Sequence, residues 1–495
     1  MKRSSVARIV AGLAVLAVCG SGQPVVESLP DPVVHPWSFE LLSNSRYSVH
    51  SWTQDTLPRQ VLANVLWAMS RVPRFGEVRE LYVATSDNVY LYDSGANLLQ
   101  VHKPGDHRYR STAAFEVGIA CDRNEEVGLL AQAGLLAGLA FCDSASGPGV
   151  VSCPMRWAAD HANANWDPDH PVELANVYGQ SGFAGLTDSL VAVSSDTSLP
   201  DPHTSAPDSF EMVLLALRQD SVFREYGISL ETVSQLLWAA YGPTPHRTSN
   251  GRQGLTIPSA VAGYFLAGHI YVVQDQGLDR YHPRLPGGNH TTADHRLEPV
   301  SVGDLRDNLR SASPRIPSTA PAYVVICAQD TGLYRHVQEA GLASFQLLAQ
   351  ARAMGLSGYL TLPLSRTERE AIALALGLPA QDIPLVVFSV GEPTTGISES
   401  ERPHLVEVVS GDPVLLRGET VRVDYLLRRS GLVRVGVFDM LGRPVRRISE
   451  EYRSAGYHST AWDGLGDLGD PVHKGSYVIG IFARGSVAQH KVTVF

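Results

Sequence analysis

At 495 residues and 53.5 kDa the chain is long enough for two or three domains of ordinary size. Hydrophobic residues make up 44% and charged residues 18%, which excludes a disordered chain. Lys and Arg number 40 against 50 Asp and Glu, a formal net charge of -10. With no long basic run to grip a phosphate backbone, nucleic acid is not an expected partner.

At the N-terminus, Lys2, Arg3 and Arg8 precede an apolar run from Ile9 to Val18 and then Gly20-Ser21-Gly22. A basic stretch, a short apolar stretch and a small-residue zone predict a secretory signal over residues 1–22. The run is too short for a bilayer core, which needs about 20 residues, and no later segment is longer, so no membrane span is expected. Leu16-Ala17-Val18-Cys19 is similar to the bacterial lipid-attachment box, although that box wants a small residue where Val18 stands. The expectation is an exported chain (periplasmic, cell-surface or extracellular), with lipid anchoring at Cys19 as a variant of it. Cys121, Cys142, Cys153 and Cys327 leave two readings open: a Cys142–Cys153 bridge across a Gly/Pro-containing loop, or buried thiols. No CxxC spacing supports zinc.

Further along, the chain repeats itself. Leu66-Trp67-Ala68 matches Leu237-Trp238-Ala239, and Tyr82-Val83 and Tyr92 match Tyr271-Val272 and Tyr281. Arg46-Tyr47-Ser48-Val49 precedes the first copy as Asp220-Ser221-Val222-Phe223-Arg224 precedes the second, and 129–141 parallels 342–356. Each copy reads as a helix with i, i+3, i+4 apolar spacing (57–70; 229–241) followed by a Tyr/Val-rich β stretch (80–92; 268–282). A long Ala/Leu-rich helix (125–141; 335–354) and an apolar strand (173–178; 384–391) complete the copy. The second copy carries about eighteen more residues between its Trp and Tyr markers, including Ile257-Pro258-Ser259-Ala260. Ser/Pro/Asp-rich linkers at 193–209 and 392–404 separate the parts. From 405 to 495, short alternating strands such as Val421–Tyr425, Val433–Phe438 and Tyr477–Ile481 predict a separate β-sandwich, with a turn at Asp439-Met440-Leu441-Gly442.

Arg46-Tyr47-Ser48-Val49-His50-Ser51-Trp52 and the Leu-Trp-Ala helix resemble the start of the nitroreductase family. Leu236–Gly242, Pro258-Ser259-Ala260, Ile270–Val273 and Arg280-Tyr281 resemble its peptide thiazole/oxazole oxidase branch. The resemblance covers residues 40–190 and 208–393 and implies an α+β fold: two fused nitroreductase-like units forming an intramolecular pseudo-dimer, with FMN between them. Arg46, Ser48 and His50 match the family's flavin-phosphate motif, and Pro258, Ser259 and Ala260 match the loop that reaches in from the partner subunit. A dianionic phosphate wants guanidinium forks and hydroxyl donors, which is what the first set offers. Tyr241 and Tyr264 are candidates for the pocket wall. The reciprocal site has Gln219 or Asp220 near the expected Arg, so at most one flavin per chain is implied. Departures are Val261 in place of a Gly, the missing Pro after it, Gln346 for an Asn, and Glu392 where a basic contact often falls, with Arg224 as a substitute cation.

The C-terminal part, from Val437-Phe438-Asp439-Met440-Leu441-Gly442 through Ala461-Trp462-Asp463-Gly464 to Lys474-Gly475-Ser476-Tyr477, resembles the flagellar hook-cap Ig-like domain. The resemblance implies display or attachment at the cell envelope, with Trp462 in the sandwich core. The polar run from Asp160 to His170 could hold a metal but matches neither an EF-hand nor a zinc spacing, and reads better as a solvated loop. His282, His290 and His295 are expected in a surface loop. Two functions follow: an exported FMN-dependent oxidoreductase using a small-molecule electron donor and acceptor, or a flavin-free pseudoenzyme acting as an envelope binding or structural protein.

Overall fold

The computed structural model describes residues 26–48, 52, 56–142, 155–156, 166–180, 185–193, 198–286, 290–394, 406–416, 418–427, 431–439, 444–453, 456–467, 469–483 and 486–495. The expected signal with Cys19, His50, Cys153, residues 160–165 and the turn at 440–442 lie outside these. Cys121, Cys142 and Cys327 are buried.

An antiparallel sheet is built from β1 (Val26–Ser28), β2 (Arg79–Ala84), β3 (Asn88–Asp93), β4 (Leu98–Pro104), β5 (Phe115–Cys121), β6 (Met155–Arg156) and β7 (Leu174–Tyr178). Its order is β1-β4-β3-β2-β5-β7-β6. A hairpin of β8 (Pro243–Arg247) and β9 (Gln253–Leu255) precedes a second antiparallel sheet. That sheet contains β10 (Ile270–Gln274), β11 (Gly277–Arg284), β12 (Ala293–Val302), β13 (Ala322–Ala328), β14 (Ser357–Thr361) and β15 (Ile383–Gly391), in the order β12-β11-β10-β13-β15-β14. With β1 set aside, the two orders coincide, and Tyr82 faces Leu91 across β2–β3 as Tyr271 faces Arg280 across β10–β11.

Helices α1 (Phe39–Ser45), α2 (Arg59–Ser70) and α3 (Asn124–Leu139) accompany the first sheet. The second has α4 (Phe210–Leu215), α5 (Leu230–Tyr241), α6 (Arg306–Ala312), α7 (Tyr334–Ala353) and α8 (Arg366–Leu376). The periodic helices expected at 57–70 and 229–241 are α2 and α5, and the Ala/Leu-rich ones are α3 and α7. Apart from its first residue α3 is buried throughout, as an apolar helix without a polar face must be. It packs on α7 backbone to backbone. A Cβ added at Gly128 would lie 2.0 Å from the Gln338 carbonyl oxygen, and one at Gly341 would lie 2.0 Å from that of Glu125. Ser38, which caps α1, bridges to Ser209 at the start of α4, and the Phe39 and Phe210 rings stack 6.4 Å apart. One apolar core therefore takes side chains from both halves, Leu66 and Leu136 with Leu237 and Phe345 among them.

The C-terminal β-rich region has two sheets. One holds β16 (Val406–Gly411), β18 (Val421–Leu427) and β21 (Gly456–Trp462). The other holds β17 (Val414–Leu415), β19 (Gly431–Asp439), β20 (Pro444–Arg453), β22 (Gly475–Ala483) and β23 (Ser486–Val494). Alternate residues Val421, Val423, Tyr425 and Leu427 turn inward to a core of its own, which includes Trp462. The Trp462 indole donates to the Leu465 carbonyl at 2.9 Å.

The sequence misplaces two histidines. His282 on β11 and His295 on β12 are buried strand residues, not surface-loop residues. Ala-Asp-His-Arg-Leu-Glu-Pro lacks the apolar alternation that announces a strand, so β12 escapes a pattern search. His295 lies between the Ser234 hydroxyl (2.7 Å) and the Tyr281 hydroxyl (2.8 Å), and burial pushes it down to about 4, so it stays neutral. Among the described residues, no helix is long and apolar enough to cross a membrane.

Candidate functional site

Arg46 leaves the end of α1 in an extended conformation that carries its side chain into the second half of the molecule. Its guanidinium donates from Nε to the Thr256 carbonyl and from a terminal nitrogen to the Leu255 carbonyl, both at 2.9 Å. Beside this junction lies a cavity of about 500 Å³. The first half lines it with Arg46, Tyr47 and Ser48. The second half contributes His246, Arg247, Thr248 and Ser249 from the β8–β9 hairpin, then Pro258, Ser259, Val261, Ala262 and Tyr264. Arg46, Ser48, Pro258 and Ser259 thus meet at one cavity. Ala260 is buried behind its wall, and His50 lies outside the described residues. Tyr264 lines the cavity, whereas Tyr241 is fully buried behind it.

Positive charge dominates. Arg46 and Arg247 line the cavity, Arg252 donates to the Ala262 carbonyl at 2.9 Å, and the Arg284 guanidinium sits 4.1 Å from the Tyr264 ring centre. Burial, then Arg46 and Arg284, push His246 down to about 3, so it is a neutral imidazole, 2.6 Å from the Thr244 hydroxyl. Behind the Pro-Ser loop, the buried Glu339 carboxyl accepts from the Ser259 and Tyr241 hydroxyls. The Ser259 oxygen also accepts the Tyr264 N–H at 2.6 Å, which anchors the loop at both ends.

Burial raises Glu339 from 4.5 to about 7. The folded state therefore binds this proton more tightly than the unfolded one. The resulting stability is fully present below pH 4.5 and is lost as pH rises toward 7. Glu339→Gln mimics the protonated acid: its oxygen accepts from Tyr241 and its amide donates to Ser259. The variant is expected to gain on the order of 2 kcal/mol relative to wild type between pH 5 and pH 8. Denaturant unfolding at the two pH values checks this, and a constant difference would refute it.

The loop's backbone is strained. Val261, Ala262 and Tyr264 take φ of 49°, 51° and 51°, the left-handed region that favours glycine, and Val261 is 83% exposed. The expected family Gly thus falls where the backbone asks for one. Val261→Gly removes β-branched strain without losing packing and is expected to stabilise by about 0.5–1 kcal/mol after the entropy cost of glycine. A lower Tm would contradict this.

In the equivalent region of the second half, the candidate groups have partners within that half. Arg224 pairs with Glu392 at 3.8 Å, Asp220 accepts from Ser357 at 2.6 Å, and Gln219 accepts the Leu360 N–H at 2.7 Å. Gln346 is buried against Ser43 and does not line the cavity. The β8–β9 hairpin, a wall of the site, carries no motif in the sequence. Its signal was the extra length of the second copy.

No protein-family model and no curated protein matches the sequence. Among solved structures, the chain is similar to an FMN-dependent nitroreductase from Clostridium difficile (16% identity, TM-score 0.27, 37% of this chain and 88% of that one). It is also similar to a chain of the E. coli microcin synthetase McbBCD complex (18%, TM-score 0.27, 35% and 67%). A nitroreductase-fold protein from Anabaena variabilis matches over 73% of this chain and 94% of its own, with a TM-score of 0.50 at 11% identity. That last likeness shows a nitroreductase-like fold, and at such identity the fold alone.

Proposed function

We propose that the junction cavity binds FMN, one per chain, and that the protein is an exported FMN-dependent oxidoreductase of the nitroreductase type. The observation that carries this reading is the meeting of Arg46 and Ser48 from one half with Pro258 and Ser259 from the other around a cavity of about 500 Å³. Such a volume suits a cofactor. The donor set also fits: guanidinium groups of Arg46 and Arg247 with the hydroxyls of Ser48, Thr248 and Ser249 match a phosphate dianion. When bound, FMN supplies two-electron transfer between a small-molecule donor and acceptor. The chain's own residues bind the phosphate, keep His246 neutral at the wall, and hold the Pro-Ser loop through Glu339.

The two halves act as the subunits of an internal pseudo-dimer. Matching strand orders support this, as do the meetings of Gly128 with Gly341 and Ser38 with Ser209, since an isologous interface brings equivalent residues together. The C-terminal region serves, on this reading, as an Ig-like module for display or attachment at the cell envelope.

A second reading, a flavin-free envelope protein of the same fold, is favoured by one observation. The Arg46 guanidinium already donates to the Leu255 and Thr256 carbonyls and Ser259 to Glu339, so both groups have structural work. Titration with FMN, followed by quenching of flavin fluorescence, separates the two. The first reading expects saturation at one FMN per chain. It also expects at least tenfold weaker binding by Arg247→Ala, whose exposed side chain can be removed without disturbing the core. Absence of quenching would overturn the first.

A further inference from the structure

Outside the cavity lining, β2 and the segment after Trp166 bring Glu80, Asp167 and His170 together, with one ligand atom of each within 4.8 Å of the others. Glu80 and Tyr82 share one face of β2. His170 Nδ1 is 2.8 Å from a Glu80 oxygen, and His102 Nε2, on β4, is 3.3 Å from an Asp167 oxygen. The segment is held in place: Trp166 is buried and its indole donates to the His107 carbonyl at 2.9 Å. The other Asp167 oxygen accepts the backbone N–H groups of Asp169 (2.8 Å) and His170 (3.2 Å).

The buried Tyr82 hydroxyl contacts oxygens of both Glu80 and Asp167, the latter at 2.9 Å. A phenol has one proton to donate, so one carboxylate oxygen is left facing another acceptor. The second half shows how the same position is balanced there. Tyr271 meets one carboxylate, Asp382; Arg280 donates to the Tyr271 hydroxyl at 2.9 Å, and His269 lies 2.8 Å from Asp382. Arg280 stands opposite Tyr271 in the strand register where Leu91 stands opposite Tyr82, and His269 precedes Tyr271 by two residues where Glu80 precedes Tyr82. Where the second half has arginine the first has leucine, and it carries a second carboxylate with imidazoles at its edge.

We propose that Glu80, Asp167 and His170 bind a divalent first-row transition-metal cation, zinc being the best match, where the second half uses the Arg280 guanidinium. Imidazole with carboxylate oxygens is a donor set zinc accepts, and tetrahedral ligands at its usual bond lengths lie about 3.4 Å apart, within the span of these three atoms. His102 orients Asp167 from outside the ligand set. The partly exposed ligands leave a coordination position open to water, and the ion ties the segment after Trp166 to the sheet.

Equilibrium dialysis of the full chain against zinc, with metal analysis, tests this. Wild type is expected to bind one zinc ion that Asp167→Asn and His170→Ala bind at least tenfold more weakly, and cobalt(II) is expected to give a visible band that zinc abolishes. Leu91→Arg, which copies the second half's guanidinium, is expected to lose zinc while raising the Tm of the zinc-free protein, so that a loss of binding is not a loss of fold. Asp382→Asn, in the counterpart network, is expected to keep the zinc. Equal zinc binding by wild type, Asp167→Asn and Leu91→Arg would overturn the proposal, as would a wild type that retains none.

Discussion

Gly341→Ala is expected to destabilise the protein by about 2 kcal/mol or more, although glycine in a helix interior ordinarily costs about 1 kcal/mol relative to alanine. The sign reverses because the new methyl group has nowhere to go. It would stand 2.0 Å from the Glu125 carbonyl oxygen and 2.9 Å from the Gly128 Cα, and both are backbone atoms on a helix that cannot turn a rotamer to make room. Either α3 and α7 move apart, opening the core that both halves share, or the helices bend. Gly128→Ala meets the Gln338 carbonyl in the same way, so the double variant is expected to cost less than the sum of the singles, the first having already parted the helices. Gly134→Ala is the control within α3. Its nearest atoms are side-chain atoms of Tyr178 and Met69, at 2.9 Å and beyond and with no backbone among them, so its cost is expected to be smaller than that of Gly341→Ala. Denaturant unfolding of the four variants decides, and a stabilised Gly341→Ala would refute the close crossing.

Arg46→Ala is expected to cost about 3 kcal/mol in stability and to weaken FMN binding at least tenfold. Two hydrogen bonds from a charged donor disappear and the buried carbonyls of Leu255 and Thr256 are left without them, each at roughly 1.5–3 kcal/mol. Arg46→Lys separates the two roles. An ammonium keeps the charge but lacks the fork, so it can serve one carbonyl, and part of the stability is expected to return while flavin affinity stays low. If both variants lose stability and bind FMN as wild type does, Arg46 is a fastener between the halves and nothing more.

Much of the fold was legible because the repeat states it twice. Trp67 and Trp238 sit on helices whose apolar spacing is unambiguous, and Tyr82 and Tyr271 mark strands flanked by turns. The junction between Arg46 and the Pro258-Ser259 loop was legible only through resemblance, because Arg46 and its contact Thr256, 210 positions apart, carry no local signal of meeting. Other features were hidden for physical reasons. β12 lacks alternation because charged and polar side chains along it are satisfied in pairs, His282 with Glu298 and Arg296 with Asp294. The β8–β9 hairpin is rich in Pro, Thr, Ser and Gly and reads as loop, yet it forms a cavity wall. Asp167 and His170 were visible as polar groups in a loop. Their partner Glu80, 87 residues earlier than Asp167, became visible only when β2 was set beside that loop.

On the proposed function, two halves of one chain build one flavin site. The visible absorption spectrum of the purified protein, taken with and without added FMN and followed by heat release of the chromophore, tests it most directly. The expected result is a flavin spectrum with close to one FMN released per chain. A colourless protein that stays colourless after incubation with FMN and desalting would contradict the claim, and a ratio near two would contradict the single composite site.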